Sequence, residues 1–274
     1  MPDRSSASRV PPSSRLALWL FGFVVRSYFR RHFRAVMLQH GERLANATGP
    51  IIVYANHSSW WDPMVSTLLA QRLLPGRTHF APMDAAALQQ YPVLRKIGIF
   101  PVEMNSARGA AQFLRTSQAI LQPTDGSSGG VIWITPQGRF ADPRTPLAFK
   151  PGLGALATRI PGLTILPLAI EYTFWDERLP ETLLRFGEPL HLREGVSSED
   201  ATATLAAALE QTMRALAADV QARDARAFRT LLRGGRGTGG LYALGRNLRA
   251  WMTRTPIQLD HTQREETLAD TDAR

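Results

Sequence analysis

Apolar positions in this chain fall into short continuous runs separated by longer stretches with helical spacing. Ile51-Ile52-Val53-Tyr54-Ala55, Thr78 to Ala81, Gly98 to Glu103, Val131 to Thr135 and Thr164 to Ile170 read as strands, most of them apolar enough to be buried on both faces. Between them, Met64 to Leu74, Ala107 to Leu121 and Gly152 to Ile160 carry helical patterns, with short helices at Asp84 to Leu88 and Pro92 to Ile97. Strands alternating with helices predict an α/β fold, a mostly parallel twisted sheet flanked by helices. Leu183 to Phe186 and Leu190 to Leu192 add a strand pair at the sheet's edge. Leu205, Leu209, Met213, Leu216 and Val220 then mark an amphipathic helix from Glu199 to about Arg223. Pro167 lies inside a strand pattern; because proline cannot donate to a ladder, it predicts an edge or a bulge there.

The ends are patterned differently. Residues 1–14 are rich in Ser, Pro and Arg and read as disordered. The run Leu16 to Val25 falls short of the ~20 apolar residues that span a bilayer. It leads into Arg26, Arg30, Arg31 and Arg34, among which Tyr28, Phe29, Phe33, Val36 and Met37 recur at helical spacing. That combination predicts an N-terminal interfacial helical segment over 15–40, aromatic side chains at the acyl boundary and arginines among headgroups. Packing of the same helix on the domain's own core is the competing reading. A domain over 41–233 follows. Over 234–274 come a glycine-rich linker, a basic amphipathic segment (Leu241 to Met252) and a tail that reads as disordered.

Composition narrows the chemistry. There are no cysteines, which excludes disulfides, thiolate metal sites and cysteine nucleophiles. The six histidines are scattered, so no zinc ligand set is expected. The formal charge of +9 rests almost wholly on arginine, since Lys96 and Lys150 are the only lysines. A basic balance suits an anionic partner: a membrane surface, a phosphorylated substrate or nucleic acid. Arginine clusters interleaved with long apolar runs, and the lack of a recognised nucleic-acid motif, argue against nucleic acid.

One polar stretch stands where α/β enzymes place their chemistry, after a buried strand and before a helix: Asn56-His57-Ser58-Ser59-Trp60-Trp61-Asp62-Pro63. Asp62 followed by Pro63 reads as a helix start, with the carboxylate at the cap position. With His57 in the turn, the chain can fold back so that carboxylate meets imidazole. The pairing fixes one ring nitrogen as donor and leaves the other free to take a proton. A His–Asp pair at this spacing also arises by chance, with Asp62 serving only as a cap. Ser58 and Ser59 are alternative nucleophiles, though no nucleophile-elbow sequence surrounds them.

Asn-His-x-x-x-x-Asp after an apolar strand resembles the first signature block of the glycerolipid acyltransferases, the lysophosphatidate-acyltransferase-like family. Later blocks follow in order. Gly98 and its strand resemble the second, with Met104 where the family usually has an acceptor-binding arginine; Arg108, four residues on, is a substitute or a surface residue. Pro136-Gln137-Gly138-Arg139 resembles the third, with Gln137 where a glutamate is usual. The strand through Pro167 resembles the fourth, which the family sets against the acyl chain.

The resemblance implies an O-acyltransferase moving a fatty acyl group from acyl-CoA or acyl-carrier protein to a hydroxyl of a lysophospholipid such as 1-acylglycerol-3-phosphate. It implies His57 and Asp62 as catalytic residues, and Asn56, Gly98, Arg108, Pro136, Gln137, Gly138, Arg139 and Pro167 as substrate-binding ones. No cofactor or metal beyond the acyl-donor co-substrate is expected. The expected partner surface is membrane lipid, the expected location the cytoplasmic face of the inner (plasma) membrane, peripheral or monotopic. A lipid alcohol without phosphate is the alternative acceptor, and a basic non-catalytic lipid- or nucleic-acid-binding protein the alternative class. Backbone amides around Gly138 are candidates for stabilising an oxyanion.

Overall fold

The structure is a computed structural model and describes residues 10–123, 129–193 and 195–235. The basic amphipathic segment, the C-terminal tail and most of the first fourteen residues lie outside the described residues.

In chain order the elements are α1 (Arg15–His32), β1 (Ala35–Gln39), α2 (Glu42–Ala45), β2 (Ile51–Ala55), α3 (Asp62–Leu73), β3 (His79–Asp84), α4 (Ala85–Gln90), a 3₁₀ turn (Pro92–Lys96), β4 (Ile99–Val102), α5 (Ala107–Leu121), β5 (Val131–Ile134), α6 (Gly152–Ala157), β6 (Thr164–Thr173), β7 (Glu181–Phe186), α7 (Ser198–Ala222), a second 3₁₀ turn (Ala225–Ala227) and β8 (Arg229–Arg233). The strands form one sheet in the order β4-β3-β5-β2-β6-β7-β1-β8. The pairs β1–β7, β2–β5, β2–β6, β3–β4 and β3–β5 are parallel, while β6–β7 and β1–β8 are antiparallel. The mixed, mostly parallel α/β sheet expected from the alternation of strands and helices is present.

Strand periodicity splits the core into two layers. Ile51, Val53 and Ala55 of β2 join the cluster under α1 and α3; Ile52 and Tyr54 join the one under α5, α6 and α7. Both faces are covered, which is why the parallel strands are apolar throughout. The Tyr54 hydroxyl, buried beneath α7, donates to the Leu205 carbonyl at 2.9 Å.

Three local readings change. Val36 and Met37 lie in β1, not in a helix: α1 ends at His32, and the run Ala35 to Gln39 is buried along its whole length between β7 and β8. β7 is interior rather than at the edge, flanked by β6 and β1, and Leu190 makes only an isolated bridge to Ile165. Pro167 is likewise in an interior strand. Its missing donor falls in a gap in the β7 side of the ladder, between the Leu168–Phe186 pair and the Ile165–Leu190 bridge, while its carbonyl accepts from Gly187 N–H at 2.9 Å.

α1 docks on α3. Ser14 caps it by accepting from Ala17 N–H, and Arg30, Arg31 and His32 in its last turn suit the negative end of the helix dipole. Val25 and Phe29 are buried, each contributing on the order of 1.5–3 kcal/mol. The crossing is close at Gly22, where an added Cβ would fall 2.0 Å from the Gln71 side-chain oxygen. A larger residue at Gly22 therefore displaces the Gln71 side chain, which bonds to Arg26 and to the Leu18 carbonyl.

Candidate active site

β2 is central, with β5 and β6 parallel on either side, so the three strands deliver their carboxyl ends to one place. His57 leaves the end of β2 there. Asn56 fixes the exit: its buried amide donates to the Ile170 carbonyl at 2.9 Å and accepts from Ile170 N–H at 2.8 Å. Both ends of that side chain are committed to β6. Asn56 thus clamps the end of β2 to β6.

The turn after His57 brings Asp62 back to it. His57 Nδ1 and Asp62 Oδ2 are 2.8 Å apart, and Ser59 N–H donates to the same oxygen at 3.0 Å. Asp62 is the first residue of α3 and not its cap; Trp61 holds the cap position without a side-chain bond. The carboxylate therefore turns away from the helix amides, towards the imidazole. Its other oxygen, Oδ1, accepts from the Tyr172 hydroxyl at 2.7 Å. A carboxylate only 1 % exposed is tolerable because three donors face it. Ser59 is occupied as well, its hydroxyl accepting from Trp61 N–H at 3.3 Å. With Nδ1 committed to Asp62, the ring nitrogen left for an incoming group is Nε2.

The loop after β5 forms the other wall. Gln137, buried at 7 %, accepts from His57 N–H through its side-chain oxygen at 2.9 Å. Ala141 N–H donates to the His57 carbonyl at 2.8 Å, and the exposed Phe140 ring lies 4.3 Å from the imidazole. Pro136 is buried, and its carbonyl accepts from Lys150 N–H at 2.9 Å. Gly138 takes φ +63°, and its N–H donates to the Thr135 carbonyl at 3.0 Å, closing the turn. That amide is spent on the turn, which removes it as an oxyanion donor. Arg139 is exposed beyond it. Met104 and Lys150 pack over Gly138, and Lys150 Nζ donates to Asn105 at 2.9 Å. The position where the resemblance expects an arginine thus presents an apolar thioether, with a lysine beside it.

The remaining expected residues are placed elsewhere. Gly98 precedes β4 at the amino end of the strands, the opposite end of the sheet from His57. Its φ of +90°, and the His79 carbonyl oxygen 2.1 Å from where a Cβ would sit, give it a backbone role. Pro167 pairs with Tyr54, inside the sheet. Arg108 is exposed on the first turn of α5.

Tyr172 is the residue of this constellation that the sequence did not mark as a site residue. Its signal was parity: Leu168, Ile170 and Tyr172 alternate onto one face of β6, but only the β2–β6 register shows that this face meets Asp62.

Residues 37–171 match the family model described as Acyltransferase. No curated protein matches the chain. Among solved structures, the fold is similar to that of the 1-acyl-sn-glycerophosphate (LPA) acyltransferase PlsC from Thermotoga maritima. The TM-score is 0.54 at 18% sequence identity, over 82% of this chain and 86% of that one. The family-model match takes in the strand, turn and helix that bring His57 to Asp62, and together with the similar fold it supports a glycerolipid acyltransferase family for this chain.

Proposed function

We propose that this acyltransferase moves a fatty acyl group from acyl-CoA or acyl-carrier protein to the hydroxyl of a lysophospholipid such as 1-acylglycerol-3-phosphate, with His57 as general base. The observation that carries the reading is the 2.8 Å contact between His57 Nδ1 and Asp62 Oδ2. Asp62 holds the tautomer and stabilises the imidazolium, as in a hydrolase triad from which the protein's own serine is missing. The acceptor hydroxyl gives its proton to Nε2 as its oxygen bonds to the thioester carbonyl carbon. Collapse of the tetrahedral adduct breaks the carbon–sulfur bond, and the departing thiolate takes the proton from the imidazolium. The products are an ester and a free thiol, and no other reactant is consumed. Positioned proton transfer of this kind contributes roughly 10²–10⁴ in rate.

On this reading the reaction takes place at a membrane surface, on the cytoplasmic face of the inner membrane. No helix among the described residues is long and apolar enough to cross a bilayer. α1 nevertheless exposes Leu16, Trp19, Leu20, Phe23, Val24 and Tyr28, each 44–65 % exposed, and Trp60 is exposed in the catalytic turn itself. Arginines flank that stripe, the arrangement of an interfacial helix. A second acceptor reading, a lipid alcohol without phosphate, is favoured by the Met104 thioether against the Gly138 turn.

Purified wild type and His57→Ala, given acyl-CoA and acyl-carrier-protein donors with phosphorylated and unphosphorylated acceptors, test this by mass spectrometry of products. Loss of every acylated product in the folded variant is expected. Undiminished transfer removes His57 as the base, and the acceptor that turns over in wild type decides between the two acceptor readings.

A further inference from the structure

We propose that Tyr172 is a positioning residue for acyl transfer, holding the Asp62 carboxylate in the one orientation that keeps His57 productive; this rests on the reading of His57 as the base. The two oxygens of Asp62 are divided between two tasks. Oδ2 receives His57 Nδ1 and Ser59 N–H, while Oδ1 receives the Tyr172 hydroxyl. Rotation of the carboxylate about its Cβ–Cγ bond breaks all three contacts, so a donor on Oδ1 fixes the oxygen that serves the imidazole. The phenol also draws negative charge towards Oδ1, which moderates the pull of Oδ2 on the Nδ1 proton.

The phenol is itself held in place. Its ring packs against Phe33, centroids 5.7 Å apart, and Phe33 meets Trp61 edge-on at 4.8 Å. Trp61 immediately precedes Asp62, so one aromatic cluster sets both the donor and the start of α3. Burial raises the Tyr172 phenol well above its ordinary value, and the Asp62 charge and hydrogen bond add to the shift. The hydroxyl therefore keeps its proton, and remains a donor, across the working pH range. On the neighbouring strand β7, Glu181 accepts from Trp175 N–H and Arg185 bonds to Gln39 and Asp219. Tyr28 and His32 of α1 pack on Trp61. Glu171 lies on the opposite face of β6, with Arg144 acting on it. Tyr172 makes its polar contact with the carboxylate, so its effect reaches the substrate through Asp62 and His57.

Tyr172→Phe keeps the ring and removes the donor. The expected result is a fall in kcat on the order of tenfold, from one charge-assisted hydrogen bond, with KM for both substrates within about twofold. The acid limb of the kcat/KM profile moves to higher pH, because an unmoderated carboxylate favours the imidazolium. Ring titration of His57 followed by NMR moves in the same direction. A role in packing alone lowers the melting temperature without moving either titration, and that outcome overturns the proposal. The NMR arm does not depend on turnover. If the His57 titration moves while acyl transfer is undiminished, the reading of His57 as base fails and the Tyr172–Asp62–His57 link stands; if the titration is unmoved in folded protein, the link fails.

Discussion

The side-chain oxygen of Gln137 accepts the backbone N–H of His57 at 2.9 Å, so the loop after β5 holds the turn that carries His57 by its main chain. The amide does this without adding charge beside the imidazole, where a carboxylate would add one. Gln137 is buried, and an apolar residue in its place leaves the His57 N–H unpaired, at a cost of about 1–3 kcal/mol. Gln137→Met is expected to lower both the melting temperature and kcat. Gln137→Glu, which keeps an acceptor oxygen, should lower stability by much less. Thermal denaturation alongside initial rates checks the pair, and equal losses in both variants would show that the acceptor oxygen is not what matters.

Asp62→Asn preserves size and the start of α3 but removes the charge opposite His57 Nδ1. With the amide oxygen kept towards Nδ1 and Ser59 N–H, the NH2 faces the Tyr172 hydroxyl, which must turn from donor to acceptor. On the proposed mechanism kcat falls by roughly 10²–10⁴, with the fold retained by circular dichroism. A fall of less than about tenfold, the size of a single charge-assisted hydrogen bond, would place the proton transfer elsewhere.

Gly98 separates a backbone role from a substrate role. Its φ of +90° and the His79 carbonyl in the path of a Cβ make Gly98→Ala strained, at roughly 1–3 kcal/mol or more. Stability should drop while KM for the acceptor stays within about twofold in the fraction that folds. A selective rise in acceptor KM would return Gly98 to the binding site.

Much of this was legible from pattern alone, and the exceptions have physical causes. Continuous apolar runs identified β2, β5 and β6, because strands buried on both faces leave no polar alternation to misread. Ala35 to Gln39 failed because an equally apolar run directly follows a basic aromatic helix, and a run that short fits either period. β8 went unread because Arg229 and Arg233 bracket it. Asp62 and His57 were found because they lie five residues apart in one turn. Tyr172 reaches the same carboxylate from 110 residues away. Nothing local marks it, since the contact is made by sheet order. Asn56 sits inside a signature, so its neighbours suggested chemistry, whereas both its hydrogen bonds go to the Ile170 backbone.

His79 gives the chain an acid limit away from the proposed site. It is buried, with Nε2 against the Leu74 carbonyl at 3.0 Å and Nδ1 accepting from Trp133 Nε1 at 3.2 Å. Desolvation lowers its pKa to about 4, with Arg77 also lowering it and the Leu74 bond opposing. A histidine depressed in the folded state binds its proton more readily unfolded. Its contribution is therefore intact above an unfolded value of about 6.5 and is lost as pH falls from there towards about 4. The loss is on the order of 3 kcal/mol. Denaturant titrations at pH 7 and 4.5 should show it. His79→Gln, which keeps a donor and an acceptor but does not titrate here, should flatten the slope; an unchanged slope would assign the acid sensitivity to other groups.

The exposed stripe on α1 makes the last prediction, because two environments compete for it. Phe23 and Trp19 pack edge-to-face on each other at 4.5 Å, and Arg26 lies over the Phe23 ring. These side chains therefore form an ordered apolar ridge on the protein, beside the Val25 and Phe29 positions that face the core. Transfer of such rings to a lipid interface is favourable, and each flanking arginine adds about 1 kcal/mol on an anionic leaflet. Trp19→Glu together with Phe23→Glu replaces the ridge while leaving Val25, Phe29 and the Trp61 contacts in place. The double variant should lose sedimentation with anionic vesicles and lose turnover of bilayer-embedded acceptor. Turnover of a short-chain acceptor below its micellar concentration should persist, because the ridge does not touch His57. Binding of wild type should weaken as salt rises, since exposed charge is screened within about 10 Å at 0.1 M. If the double variant still sediments with vesicles, the chain meets the membrane through another surface; if short-chain turnover falls in step, α1 shapes the site directly rather than delivering it to lipid.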